Sequence, residues 1–216
     1  MKKTIATIAA VLAVGAVLVL SGCASTQTGT ERGADTSKTM EAVEGDIRLV
    51  VADIDAAGEA LAELIRPGQA NREQAFAAYS ARVNELERSS KVYKENSDEM
   101  GVRGRDYFEE WRVQGDEYQN PRIRALSDQR RGELGAVYAE IATESVGVQG
   151  RVDTHLQTLK EIRTYFSTDL TPRGIEVMTP AAQDAIADGH ELSNSLESVL
   201  DSIGDVRYEL ASGDAR

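Results

Sequence analysis

Cysteine, proline and aromatic residues are scarce in this chain of 216 residues, and each shortage excludes a class of structure. The only cysteine is Cys23, so the chain cannot form an internal disulfide and must depend on packing for its stability. There are four prolines, and no stretch alternates apolar and polar residues as a half-buried strand does. Alanine, glutamate, arginine and leucine are abundant, which is typical of helical proteins. The expected fold class is therefore all-α.

Common catalytic and metal-binding motifs are also missing. The two histidines, His155 and His190, follow Val152 and Ala187 by three positions, so neither completes the Glu-x-x-His motif of a di-iron or di-manganese bundle. Two distant histidines and one cysteine make a poor zinc site. No Gly-x-Ser-x-Gly segment and no glycine-rich phosphate loop occurs. We therefore expect no metal, no cofactor, no catalytic residues and no enzymatic activity.

Basic residues are outnumbered, which restricts the partners. Lysine and arginine total 24 against 36 aspartates and glutamates, for a formal charge of -12. Loss of residues 1–22, which contain Lys2 and Lys3 and no acid, would change this charge from -12 to -14. A chain this acidic should be repelled by nucleic acid and by anionic lipid surfaces. We expect no nucleic-acid partner.

The N-terminus predicts a secretion signal followed by a lipid anchor. Two lysines precede an apolar run from residue 5 to residue 20, and the run ends in Leu-Ser-Gly-Cys at residues 20–23. This tetrapeptide resembles the bacterial lipobox, which implies cleavage between Gly22 and Cys23 and acylation of Cys23. Ala24 then implies an outer-membrane anchor facing the periplasm, because an aspartate there favours the inner membrane. The alternative is an uncleaved transmembrane anchor, although the run of 16 residues is just short of the usual span.

A flexible tether and a first helix are expected next. Residues 24–37 contain no large apolar side chain, so we predict a tether over residues 23–38. The first helix should cover about 39–65 and end at Arg66-Pro67-Gly68, since proline and glycine stop helices. Its apolar residues follow heptad spacing: Met40, Val43, Ile47, Val50, Ile54, Ala57, Leu61 and Leu64.

Two longer helices, at about 70–118 and 121–169, should form a central hairpin that turns at residues 119–122. Gly101, Gly104 and Gly115 interrupt the first of them, and they indicate a kink near residues 101–104 or a close approach by a neighbouring helix. The alternative is that a helix this long tolerates a few weak positions. The apolar stripe of the first is Phe76, Tyr79, Val83, Leu86, Tyr93, Met100, Tyr107, Trp111 and Tyr118. The stripe of the second is Ile123, Leu126, Leu134, Val137, Ile141, Val148, Val152, Leu159, Ile162 and Phe166.

The last helix is predicted at about 180–211, with Thr179 as its cap and Pro180 in its first turn. Four helices with short connections favour an elongated antiparallel bundle in a single domain, residues 39–212. Since the outer helices are shorter than the central hairpin, the hairpin should either project beyond the bundle or be covered by another chain. The second case predicts a homo-oligomer.

Several segments of the hairpin carry a family resemblance: residues 108–111 (Phe-Glu-Glu-Trp), 117–120 (Glu-Tyr-Gln-Asn), 123–127 (Ile-Arg-Ala-Leu-Ser) and 159–170. They resemble a family of Gram-negative envelope proteins that is catalogued as a domain of unknown function and is long-helical and coiled-coil-like. The resemblance ends after Leu170 and implies a fold and a compartment, with no activity. Its anchor residues are Trp111, Asn120, Arg124, Ser127 and Tyr138.

The candidate partner-binding residues surround the hairpin turn, and they are Trp111, Arg112, Arg122, Arg124, Arg130 and Arg131. Guanidinium groups could hold carboxylates or phosphates of a partner by forked hydrogen bonds. The alternative is internal pairing with Glu109, Glu110, Asp116, Asp128 and Glu133.

Two functional hypotheses follow. The first is a non-enzymatic lipoprotein that contacts an envelope protein or the cell wall through its hairpin. The second is a periplasmic ligand-binding module with a cleft near Trp111 and the arginines.

Overall fold

The fold is an all-α, antiparallel four-helix bundle with a long central hairpin, as predicted. The structure is a computed structural model that describes residues 29–212. Its helices are α1 (Gly29–Leu64), α2 (Arg72–Asp116), α3 (Pro121–Thr168) and α4 (Pro172–Ser212). The predicted signal peptide, Cys23 and the first part of the predicted tether lie outside the described residues, as do residues 213–216.

Each helix packs against two others, and the helices form a closed square. Helix α1 contacts α2 and α4, and α3 contacts the same two helices. Hydrogen bonds between helices record the antiparallel pairing. The Asn96 amide donates to Asp46 at 2.7 Å, and the Arg151 guanidinium of α3 donates to Ser195 of α4 at 2.6 Å.

The apolar stripe predicted for α1 is buried along its whole length, and none of its eight residues is more than 2% exposed. This stripe packs against the interior sides of α2 and α4, where Tyr79, Tyr93 and Leu196 are also buried. On α4, Ala182, Ala185 and Leu192 join the core. Alternating small and large side chains let the helices pack closely.

Helix α1 begins at Gly29, ten residues before the predicted start, so the predicted tether is wrong over residues 29–38. No large apolar residue marks this extension, because small and polar residues hold it against α2. Gly33 lies under Tyr107, and Thr36 is buried with its hydroxyl donating to the Arg32 carbonyl at 3.0 Å. Only residues 24–28 stand between Cys23 and the described helix.

Helix α4 begins at Pro172, eight residues before the predicted start, so the prediction that Thr179 caps it is wrong. The Thr171 hydroxyl accepts from the Gly174 amide at 3.1 Å and caps the helix. Thr179 instead lies inside α4, where its hydroxyl donates to the Ile175 carbonyl at 2.8 Å. The Thr-Pro start signal occurs twice, at residues 171–172 and 179–180, and the first one is used.

Both predicted turns are confirmed. Gly68 adopts a positive φ of 77° after the end of α1, which a residue with a Cβ rarely does. Asn120 caps α3, since its side chain accepts from two backbone amides, and Pro121 follows in the first turn. The predicted stripe of α3 is wrong at Ile123, Leu126 and Val137, which are exposed.

The hairpin does extend beyond part of the bundle. Arg207, near the end of α4, pairs with Glu41 and Glu44 of α1 at 3.2 and 2.8 Å. Only five residues of α4 follow Arg207, so α4 ends at about the level of residue 36 of α1. The start of α3 lies beyond that level and has no part of α4 beside it. The free side of α3 there explains why Ile123 and Leu126 are exposed.

Candidate functional site

The hairpin tip, defined as residues 113–127, is a rigid structure. Arg124 donates from one guanidinium nitrogen to the carbonyls of Asp116 and Tyr118, at 2.7 and 3.0 Å, and so satisfies acceptors at the end of α2. Nearby, the Trp111 indole donates to the Ser127 hydroxyl at 3.0 Å and joins α2 to α3. These bonds fix the angle at which α3 leaves the turn.

The aromatic residues near the tip pack together. The ring centroids of Tyr107 and Phe108 are 5.0 Å apart, those of Tyr107 and Trp111 are 5.8 Å apart, and Phe108 and Tyr138 are 5.6 Å apart. Edge-to-face contacts at these distances stabilise a core. Trp111 is half-buried in this arrangement.

The five candidate arginines around the hairpin turn divide into two groups. Arg112 holds Glu109 with two hydrogen bonds, at 2.6 and 2.9 Å, and also pairs with Asp116 at 2.9 Å. This contact lowers the pKa of the Glu109 carboxyl. Arg131 pairs with Asp128 at 3.0 Å, and Arg124 binds the carbonyls described above.

Arg122 and Arg130 differ from these three. Within residues 29–212 neither side chain has an ion pair, and Arg122 is exposed. Arg130 lies close enough to Tyr107 for its charge to act on the phenol, although burial is the larger effect and raises the pKa of Tyr107. Internal pairing therefore accounts for part of the predicted cluster.

Of the acids predicted as internal partners, two bind residues outside the arginine cluster. Glu110 pairs with Arg32 of α1 at 3.3 Å, and Glu133 accepts from Gln129 at 2.9 Å. Arg32 also donates to Gln114 at 2.8 Å. The start of α1 is thus bound to the end of α2, beside the hairpin tip.

The close approach predicted among the α2 glycines occurs at Gly104. A Cβ there would overlap the ring of Tyr138, whose hydroxyl donates to the Met100 carbonyl. Small residues leave a groove of about 680 Å³ on the outer face of α2 and α3. Its lining includes Phe108, Arg112 and Arg131 but not Trp111.

At the opposite end of the bundle lies a larger cleft that the sequence did not predict. This distal cleft has a volume of about 960 Å³ and lies between the α1–α2 turn and the first turns of α4. Its wall is mainly apolar, and the Nε of Arg72 is buried there with no hydrogen-bond acceptor among the described residues. The lining includes Ile65, Pro67, Ala70, Pro172, Ile175, Pro180 and Ile186.

The two histidines do not form a site. His155 is buried between α3 and α4 with its ring against Gly189, and burial lowers its pKa more than Asp188 raises it. His190 is exposed on α4. Residues 29–212 contain no group of histidine, cysteine and acidic residues that could hold a metal ion.

Within residues 29–212, no helix carries an apolar stretch that could span a bilayer. The predicted lipidation site Cys23 and the predicted cleavage residue Gly22 are outside this range. Compared with protein-family models, curated proteins and solved structures, the chain matches none of them. The resemblance to the envelope family therefore stays a prediction.

Proposed function

We propose that this protein is a non-enzymatic lipoprotein of the bacterial outer membrane that faces the periplasm and presents the distal cleft to a protein partner. The observation that carries the proposal is the contact of Arg32 with Glu110 and Gln114, which puts the N-terminal end of α1 beside the hairpin tip. An anchor at Cys23 would then hold the tip end at the membrane. The α1–α2 turn would lie about 54 Å further out, the length of 36 helical residues.

This arrangement changes the surface expected to meet the partner. The hairpin tip was the predicted contact, but in this orientation it faces the membrane and the distal cleft faces the periplasm. The apolar wall of the cleft suits a protein segment better than a polar glycan of the cell wall. The buried Nε of Arg72 could donate to a carbonyl or carboxylate of that segment.

Anchoring can be tested by replacing Cys23. We expect mass spectrometry of the wild type to find acyl chains on the N-terminal peptide that begins at Cys23, and Cys23→Ser to lose these chains and keep residues 1–22 attached. If the wild type itself keeps residues 1–22 and carries no acyl chain on Cys23, the protein has a transmembrane anchor and is not a lipoprotein. A wild-type protein found free in the periplasm would exclude both forms of anchoring.

Presentation of the cleft can be tested by photocrosslinking in cells. A photoreactive residue at position 70, in the distal cleft, should form a discrete protein adduct, and Ile175→Glu should remove that adduct. Position 146, an exposed site in the middle of α3, serves as the control. Adducts that form only from position 123 at the tip would contradict the proposed orientation.

A second candidate function is ligand binding in the groove between α2 and α3. Its lining brings Arg105, Arg112 and Arg131 together around small residues, which favours an anionic ligand. Arg112 and Arg131 already pair with acids, so a ligand would have to compete with Glu109 and Asp128. Titration calorimetry with anionic glycans should detect binding if the groove holds them, and Arg105→Ala should weaken that binding.

A further inference from the structure

We propose that the hairpin tip is a second membrane contact, inserting its exposed apolar side chains among the phospholipids next to the acylated N-terminus. This inference rests on the proposed anchoring of the protein. It commits the tip to a lipid surface as its partner.

The chain between Cys23 and the described helix α1 is short. Six peptide steps separate Cys23 from Gly29, and a chain of that length spans at most about 20 Å. Acylation of Cys23 would hold that residue at the membrane surface. The uncleaved-anchor alternative, in which residues 5–20 span the bilayer, would put residue 23 at the same depth.

Gly29, the first residue of α1, lies near the hairpin tip. Arg32 contacts Glu110 and Gln114, and Asp46 contacts Asn96. Helices α1 and α2 are therefore antiparallel, and the numbers of two residues that face each other add up to about 142–146. Gly29 therefore lies level with the last turn of α2. The hairpin tip and the anchored end of the chain are at one end of the molecule.

Exposed apolar side chains are concentrated at the hairpin tip. Of the eleven large apolar side chains exposed within the described residues, four lie between residues 113 and 126. Ile123 and Leu126 are 51% and 60% exposed and share one face of α3, three positions apart. Val113 and Tyr118 are the other two.

An exposed arginine lies among these apolar side chains. Arg122 has no ion pair within the described part of the chain, and it adjoins Ile123. An arginine beside aliphatic and tyrosine side chains is typical of segments at the membrane interface, where the guanidinium binds phosphate groups and its stem lies along apolar surface. On the flanks, exposed Leu49 and Val102 also adjoin arginines, but Arg48 and Arg103 are paired with glutamates.

Rigidity and proximity strengthen the contact. The Trp111–Ser127 bond and the binding of α2 carbonyls by Arg124 hold the tip in shape before it meets lipid, so little conformational entropy is lost on insertion. The short link from Cys23 keeps the tip at a high effective concentration near the surface. A few apolar residues can therefore suffice where they would not bind alone.

The test uses the full acylated chain carrying a single introduced cysteine, labelled with an environment-sensitive NBD fluorophore. The labelled variants are Ile123→Cys at the tip, Val146→Cys on the exposed middle of α3 and Ala70→Cys at the distal end. Each is reconstituted in phosphatidylethanolamine–phosphatidylglycerol vesicles, with or without a phospholipid that carries a spin label on its acyl chain. We expect the probe at position 123 to shift to the blue and to lose fluorescence to the spin label. The probes at 146 and 70 should do neither.

Three results would overturn the inference, and they are distinguishable. If the protein floats with the vesicles but the probe at 123 behaves like the probe at 70, only the tip contact is wrong. If the acylated protein does not float, the proposed anchoring fails as well. A blue shift at 123 that is insensitive to the spin label and grows with protein density would mean that a second copy of the chain covers the tip.

Discussion

Gly101 and Gly104 lie on the same helix within one turn, yet a methyl group should have opposite effects at the two positions. At Gly104 a Cβ would overlap the Tyr138 ring, so Gly104→Ala should displace α3 and lower the free energy of unfolding by about 1–3 kcal/mol. At Gly101 the nearest atom is a flexible Arg105 nitrogen 3.7 Å away. Gly101→Ala should therefore raise stability by up to about 1 kcal/mol.

Urea denaturation of the two variants measures both effects, with the wild type as reference. Equal stabilisation by the two alanines would show that α3 does not approach α2 closely at Gly104. If the Tyr138 ring is the cause, Gly104→Ala should cost less free energy of unfolding in a Tyr138→Ala background than in the wild type, because the overlap is then absent.

Three buried tyrosines make the free energy of unfolding depend on pH in the alkaline range. Burial raises the pKa of Tyr138 to about 12 and raises the pKa of Tyr79 and Tyr93 as well. Above pH 10 the unfolded chain loses phenolic protons that the folded state keeps. The contribution of these tyrosines to stability is therefore fully present below pH 10. The free energy of unfolding should fall as the pH rises towards 12, by about 1.4 kcal/mol per pH unit for each tyrosine that stays protonated in the folded state.

The measurement is the urea midpoint at several pH values between 8 and about 11.5. A variant with phenylalanine at all three positions should start less stable, because the Tyr79 hydroxyl donates to the Leu159 carbonyl at 2.7 Å, but its midpoint should fall less steeply with pH. Parallel slopes for the variant and the wild type would assign the alkaline transition to other groups.

Among the helices, α4 allows a direct comparison of two candidate caps. Thr171→Ala removes the hydroxyl that accepts from the Gly174 amide and should lower the free energy of unfolding by about 1 kcal/mol. Thr179→Ala removes only a hydroxyl that donates within the helix and should cost less than half as much. Thermal unfolding of the two variants decides whether α4 begins at residue 172 or at residue 180. A larger loss of stability for Thr179→Ala than for Thr171→Ala would favour the start at residue 180.

Sequence reasoning succeeded where local spacing determines burial. On α1, every apolar residue in the heptad pattern is buried, because a neighbouring helix covers the whole face. The same count failed at Ile123 and Leu126, since burial there depends on whether α4 reaches that far. The start of α1 was missed because Gly33 and Thr36 pack through their small size, which no hydrophobic pattern records.

The candidate sites show the same limit. Pairing of Arg112 and Arg131 with nearby acids was foreseen, because those partners are three or four residues away on one helix. The bond between Arg32 and Glu110 was not, since it joins distant parts of the chain. The distal cleft combines residues 62–72 with 172–186, and only the folded bundle brings them together.

For the whole molecule, the important property is that its two ends differ. One end joins the start of α1 to an apolar, arginine-bearing tip, and the other carries the apolar distal cleft. The flanks between them belong to a chain with a formal charge of -12, which an anionic bilayer repels. If the anchor and the tip both bind lipid, repulsion of the flanks favours a bundle that stands upright.

The upright orientation predicts the effect of a longer link. Energy transfer from a donor at position 70 to acceptors at the lipid surface should give a distance of at least about 54 Å in the acylated protein, since α1 alone has that length.

Twenty Gly/Ser residues inserted after Gln27 would add an average span of about 25 Å and lower the effective concentration of the tip. Energy transfer should then indicate a broad range of distances, and the probe at position 123 should be quenched less by lipid. The same insert after Arg216 is the control and should change neither value. If position 70 of the original protein lies as close to lipid as position 123, the bundle lies flat and the cleft is not presented to the periplasm.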